Sequence, residues 1–147
     1  KAIVDLEKEE TTRDVVTEVG DVGGIRTALD TAGRAALDDL VFASGSSALS
    51  DGEYASLAEV AAWLEANPEG TIALVGHTDA AGSLAANIAL SERRAEAAAE
   101  ALIDTYGADA ARVEAEGVGY LAPRATNATE EGRQLNRRVE VVVTSTE

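Results

Sequence analysis

The 147 residues carry 27 acidic and 12 basic side chains, a formal net charge of −15, which leaves too little basic surface to neutralise a nucleic-acid partner. A hydrophobic content of 46% suffices for one core, but with one Trp, three Tyr and one Phe that core must rest on Ala, Val, Leu and Ile, whose small side chains let helices and sheet approach closely. Cysteine is absent, which excludes a disulfide framework and a thiolate metal site, and no apolar run reaches the ~18 residues needed to span a bilayer.

The chain opens on Lys1-Ala2-Ile3, with neither an initiator Met nor a signal-peptide core, and reads as a processed or truncated piece whose membrane anchor lies outside it. Ala2-Ile3-Val4-Asp5-Leu6 has the makings of a short strand, followed by a charged turn at Glu7-Lys8-Glu9-Glu10. From Ile25 to Leu37 the apolar positions Ile25, Ala28, Leu29, Ala32 and Ala36 have helical spacing, interrupted or ended near Gly33. Leu40-Val41-Phe42 reads as a first strand, running out into the small polar stretch Ala43-Ser44-Gly45-Ser46-Ser47. Ser50-Asp51-Gly52-Glu53 has the form of a capping box, and Tyr54, Leu57, Val60, Ala61 and Leu64 make one apolar helical stripe that stops at Asn67-Pro68.

Thr71 to His77 is the central strand, almost wholly apolar, ending in a polar turn that Gly82 closes. A long helix follows, burying Ala95, Ala98, Ala99 and Leu102 and ending at Gly107 as its C-cap. Arg112 to Glu116 and Val139 to Val143 alternate apolar with charged or outward positions, so both are half-buried strands. Between them Pro123 to Arg133 supplies a loop with a helical turn near Thr129-Glu130-Glu131. The implied order is β-α-β-α-β-β, an α+β mixed sheet with its helices on one face. Residues 1–37 are then an N-terminal extension with a short strand and a helix, and residues 38–147 the main domain.

The chemistry gathers where the central strand meets the long helix. The strand delivers Asp79 to a sheet end, and Asn87, Ser91 and Arg94 stand at i, i+4 and i+7, so one helix face carries an amide, a hydroxyl and a guanidinium. A carboxylate and a guanidinium brought together can hold a zwitterion, Asp79 accepting from an ammonium and Arg94 forking onto a carboxylate. They can equally form an ion pair that pins the turn to the helix. Of the twelve basic residues, six (Arg93, Arg94, Arg124, Arg133, Arg137 and Arg138) fall in or near these stretches, a local positive pocket in an acidic chain.

Other motifs carry less. Gly117-Val118-Gly119-Tyr120-Leu121-Ala122 has the glycine spacing of a dinucleotide loop, but Pro123 and a polar loop follow where a helix is required. His77 has no nucleophile elbow to serve and reads as a structural, hydrogen-bonding histidine sharing a face with Asp79. Asp38, Asp39, Asp51 and Glu53 lack calcium-loop spacing and read as solvated, so no metal or cofactor is expected.

Gly76-His77-Thr78-Asp79, then Gly82, then Asn87-x-x-Leu90-Ser91-x-x-Arg94-Ala95, and finally Gly132-Arg133-x-x-Asn136-Arg137-Arg138-Val139-Glu140 resemble the OmpA-like peptidoglycan-binding domain shared by OmpA, Pal and MotB proteins. The resemblance runs from Asp38 to Thr144, and implies the same fold and a non-catalytic, periplasmic module that tethers an outer-membrane or envelope protein to the wall. It further implies that Asp79 and Arg94 hold the diaminopimelate of the peptidoglycan stem peptide, that Asn87 and Arg137 are further contacts, and that Thr78, Ala81 and Ser44 line the pocket partly through backbone groups. Arg133 and Arg138 would brace the fold or the cavity wall. Where many members carry an acidic residue after the strand Phe, this chain has Ala43, leaving Ser44 to offer a hydroxyl. A motor-stator or Pal-type role with a Tol-type partner uses the same grip, and a cell-wall amidase or peptidase is the alternative from another class.

Overall fold

A computed structural model describes residues 24–146. The elements in chain order are α1 (Gly24–Thr31), β1 (Arg34–Ala36), α2 (Ala55–Ala66), β2 (Ile72–Gly76), α3 (Leu84–Asp104), a 3-10 turn (Ala110–Arg112), β3 (Val113–Gly117), α4 (Glu130–Asn136) and β4 (Val139–Val143). The four strands form one mixed sheet in the order β1-β4-β2-β3. The last strand is therefore interior: β4 runs antiparallel to both β1 and β2, while β2 and β3 are parallel. The expected α+β architecture is present, and the strand expected at Ala2 to Leu6 lies outside the described residues.

Alternation along the strands sorts the two faces. Ile72 and Leu74 of β2 and Val139 and Val141 of β4 share one buried core with Ile25 and Leu29 of α1, Leu57, Val60, Trp63 and Leu64 of α2, and Ala95, Ala98 and Leu102 of α3. The opposite face carries a charged ladder instead: Glu140 accepts from Arg34 at 2.6 Å and from Arg138 at 2.7 Å. Small residues set how close α3 comes to the sheet. A Cβ on Gly76 would run into the backbone of Ser91, and one on Gly117 into Ser91 and Glu92. Ser91 Oγ uses that proximity to accept from the Gly119 amide at 2.9 Å while donating to Ile88 O at 2.8 Å. The helix end bearing Asn87, Ser91 and Arg94 is thus clamped to the ends of β2 and β3.

Three local expectations change. The first strand is not Leu40-Val41-Phe42 but Arg34–Ala36, directly after the short α1. Leu40 and Phe42 are buried and Val41 is 62% exposed, so the in-out alternation of a strand is there. The backbone of that segment is nevertheless bonded to side chains: Phe42 O accepts from Arg137 Nε at 3.1 Å and Ala43 O from an Arg94 terminal nitrogen at 3.0 Å. Two guanidiniums occupy the place of a neighbouring strand. Second, the Ser50 capping box does not form. The helix begins after Tyr54, which supplies no side-chain cap. The Ser56 amide is instead met by Asp39 Oδ2 at 3.0 Å, reaching in from seventeen residues upstream. Third, Asp39 is accordingly not a solvated acid, and neither is Asp38 an isolated one, since it pairs with Arg124 at 2.6 Å.

The long helix stops as its sequence predicts. Gly107 has φ of +77°, its amide reaches Ile103 O, and the Ala108 amide reaches Leu102 O, the bond pattern of a left-handed C-terminal cap. The helical turn expected near Thr129 extends to two turns, capped by Thr129 Oγ1 accepting from the Gly132 amide at 3.0 Å. No described helix is long and apolar enough to cross a membrane.

A candidate ligand site between two guanidiniums

Three segments meet beyond the ends of β2 and β4: the turn 77–83, the first half of α3, and the end of α4. The turn is built locally. Asp79 Oδ1 accepts from the Ala81 amide at 3.1 Å, Gly82 takes φ of +94°, and Asn87 Nδ2 donates back to Ala81 O at 2.8 Å and Ser83 O at 2.9 Å. The N-cap Ser83 then starts α3 by accepting from the Ala86 amide. Asn87 therefore braces the turn that presents Asp79.

Asp79 finds its ionic partner on α4's side, not on α3. Its Oδ2 accepts from an Arg137 terminal nitrogen at 2.8 Å, and both side chains are nearly closed off, at 8% and 4% exposed. Burial alone would raise the Asp79 pKa, but the Ala81 amide, the Arg137 hydrogen bond and the positive charges of Arg137 and Arg94 together hold it below the ordinary carboxylate range. Asp79 is ionised at neutral pH. The direct Asp79–Arg94 ion pair allowed by the sequence is not the one formed.

Arg94 has no exposed surface at all. Its Nε donates to Ser46 O at 2.8 Å and its terminal nitrogens to His77 O at 3.0 Å and Ala43 O at 3.0 Å, with the guanidinium 5.0 Å from the Phe42 ring centroid. Those three carbonyls leave one N–H on each terminal nitrogen without a partner among the described residues. Burial pushes Arg94 down to about 10, with Asp79 opposing that fall, so it too stays charged at neutral pH. Arg94 thus ties the 43–46 loop to the end of β2. Ser44 lies exposed on that loop, between the two carbonyls that Arg94 holds, and Ala81 is exposed on the facing turn. Thr78 is buried, and its Oγ1 has no hydrogen-bond partner.

Arg137 is the residue whose role the sequence least foretold. Besides Phe42 O and Asp79, it donates from its second terminal nitrogen to Glu130 Oε2 at 2.7 Å and Gln134 Oε1 at 2.8 Å. Glu130, Gln134 and Arg137 stand at i, i+4 and i+7, the same spacing that singled out Asn87, Ser91 and Arg94, and that periodicity was the signal available in the sequence. Asn136 is buried beside them. Its amide brackets the loop before α4, accepting from the Arg124 and Ala125 amides and donating to Ala125 O and to Asn127 Oδ1, which in turn accepts from the Ala80 amide. Arg133 and Arg138 brace as expected, Arg133 onto Asn127 O and Glu130, Arg138 onto Glu140, Asn136 O and Ala122 O.

His77 does not share a face with Asp79. Gly76 pairs with Val139 on the core face, so the next side chain turns to the opposite face, beside Arg138, Glu140 and Arg34. Both ring nitrogens are buried, and among the described residues the Ala122 carbonyl is the group near enough to favour a ring N–H, short of a well-formed hydrogen bond. Burial, and then the Arg138 charge, push its pKa down to about 4, leaving it neutral. Among the described residues no three His, Cys, Asp or Glu side chains are placed to hold a metal ion.

Asp79, Arg94 and Arg137 thus form a compact charged cluster at the loop end of a sheet built in the order β-α-β-α-β-α-β. The chain belongs to the OmpA family, which its residues 41–137 match. It is 41% identical over 105 residues to outer membrane porin F of Pseudomonas aeruginosa, an alignment covering 71% of this chain and 30% of that protein. To the peptidoglycan-binding protein ArfA of Mycobacterium tuberculosis H37Rv it is 38% identical over 104 residues, 71% of this chain and 32% of ArfA. Among solved structures, the peptidoglycan-associated lipoprotein of Burkholderia pseudomallei superposes with a TM-score of 0.65 at 32% identity, covering 71% of this chain and 88% of that one. The chain spans less than half the length of the curated relatives it matches.

Proposed function

We propose that this chain is a non-catalytic, periplasmic peptidoglycan-binding module that grips the diaminopimelate of the stem peptide, so that the envelope protein to which it belongs is tethered to the wall. The observation that carries this reading is Asp79, an ionised and nearly enclosed carboxylate set against Arg137 and within the field of Arg94, in a chain whose net charge is otherwise −15. A buried ion pair alone is weak evidence of function. Support comes from its company: the family motif residues converge on it, and relatives named for peptidoglycan binding or association share the sequence and fold.

Diaminopimelate presents an ammonium and a carboxylate on one carbon. Asp79 accepts from the ammonium, while Arg94 and Arg137 supply the positive charge that faces the carboxylate. Asn87, Thr78, Ala81 and Ser44 form the walls. A lysine-type stem offers the ammonium alone, and amidation removes the carboxylate charge while keeping its shape. Either change should weaken binding by roughly 1.5–3 kcal/mol, about ten- to a hundredfold. Asp79→Asn should cost a similar amount with the far-UV spectrum unchanged. Sedimentation with purified sacculi and calorimetric titration with the three stem peptides measure both, and muropeptides should be recovered uncut. Equal affinity for all three peptides would refute the site, and wild-type sedimentation by Asp79→Asn would refute the role of its carboxylate.

A further inference from the structure

Arg137 is held by four partners of unequal permanence. Phe42 O is backbone, Asp79 is nearly enclosed, and Gln134 is half-buried on the same helix. Glu130 differs: its side chain is 63% exposed although its carboxylate lies 2.7 Å from a guanidinium that is itself only 4% exposed. It is anchored otherwise by a single 3.2 Å contact to Arg133, itself partly exposed. The hydrogen bonds and charges of Arg137 and Arg133 hold Glu130 below its ordinary pKa, so at neutral pH it is a carboxylate. A surface carboxylate can rotate into solvent at little cost, because such pairs are worth little in water.

If it does, one donor is freed on the terminal nitrogen that Glu130 held, beside a donor on the other terminal nitrogen that has no partner among the described residues. The neighbouring terminal nitrogen still holds Asp79. A ligand carboxylate arriving there lies beside Asp79, and an ammonium on the same carbon falls within reach of the Asp79 carboxylate. We propose that Glu130 is an internal competitor, a carboxylate that occupies the ligand-carboxylate position on Arg137 and must be displaced by any ligand that brings a carboxylate of its own. The inference rests on the reading of the site given above. It adds that Arg137, and not Arg94 alone, receives the ligand's carboxylate, and that the chain's own acid competes for that place.

Binding of a carboxylate-bearing ligand is therefore an exchange of one carboxylate for another, and Glu130 narrows the margin between the unmodified and the amidated stem. A stem peptide with an unmodified diaminopimelate replaces Glu130; an amidated one leaves Glu130 on Arg137 and gains nothing from its removal. The test is calorimetric titration of wild type, Glu130→Gln and Glu131→Gln with diaminopimelate-type and amidated stem peptides. Glu131 is in the same first turn and removes the same charge without touching the Arg137 contact. Glu130→Gln should bind the unmodified peptide roughly two- to fivefold more tightly, the range of a surface ion pair, with amidated binding unchanged. Glu131→Gln should leave the ratio of the two affinities where it is in wild type. An unchanged ratio in Glu130→Gln, or a weaker hold on the unmodified peptide, would overturn the proposal while leaving the peptidoglycan reading standing; failure of wild type to bind either peptide would overturn both.

Discussion

His77 turns its ring away from the charged turn it introduces and into the face of the sheet opposite the core, where a proton would place a second buried cation beside Arg138. Its pKa is pushed from 6.5 in the unfolded chain to about 4 in the folded one. The folded form resists the proton, so this contribution to stability is complete above pH 6.5 and is lost as pH falls toward 4. The loss should reach roughly 2–3 kcal/mol after allowing for solvent screening. Asp79 and Glu140, both held below their ordinary values, add their own loss at lower pH, as protons reach carboxylates that guanidiniums favour ionised. Denaturant midpoints measured every half unit should fall between pH 6.5 and 4.5 in wild type and stay level in His77→Gln; parallel curves would remove His77 from the account. The wider lesson at this scale concerns arginine. Spacing marked Arg94 in the sequence and the family resemblance marked Arg137, but their division of labour depends on which backbone carbonyls come within reach, and carbonyls carry no side-chain signal.

At the scale of elements, periodicity identified α2, β2, α3, β3 and β4, because each buries one stripe or one face against the same core. It failed where an element is fixed by a distant partner. Leu40-Val41-Phe42 has strand alternation but lacks a strand neighbour, and Arg34–Ala36, three residues with little apolar character, becomes a strand because β4 offers it a ladder. The capping box was displaced in the same way, by Asp39 reaching the Ser56 amide. Close approach is the more severe constraint. Gly76→Ala would thrust a methyl into the backbone of Ser91, so α3 must lift from β2, at a cost of about 1–3 kcal/mol or more. Because Asn87 and Arg94 ride on that helix, the same substitution should weaken the proposed wall binding beyond its effect on the folded fraction. Binding measured on protein shown to be fully folded would check this; an unaltered affinity would mean that α3 shifts without disturbing the turn.

Among the described residues most guanidiniums are buried or ion-paired, with Arg93 exposed, and most carboxylates lie at the surface, with Asp79 and Glu140 buried. Glu92, Glu96, Glu100 and Asp104 recur every four residues along the exposed side of α3, where like charges at that spacing repel. With a net charge of −15 the folded state strains against itself, and added salt should relieve it. The thermal midpoint at neutral pH should rise steadily from about 0.01 M to 1 M sodium chloride, as the screening length contracts from about 30 Å to 3 Å. A midpoint that falls over this range would show that the surface ion pairs, such as Arg26–Glu59 and Arg124–Asp38, outweigh the general repulsion.

The interior position of β4 has a bearing on how this domain comes into being. Its first strand and its second are joined to each other only through residues 139–143, so a growing or translocating chain can form helices early but cannot close its sheet until nearly all of it has arrived. Arg137 sits two residues ahead of that closing strand. The candidate cradle and the finished fold are thus one event in time: no half-made chain that lacks residues 137–143 holds Asp79 and Arg137 together.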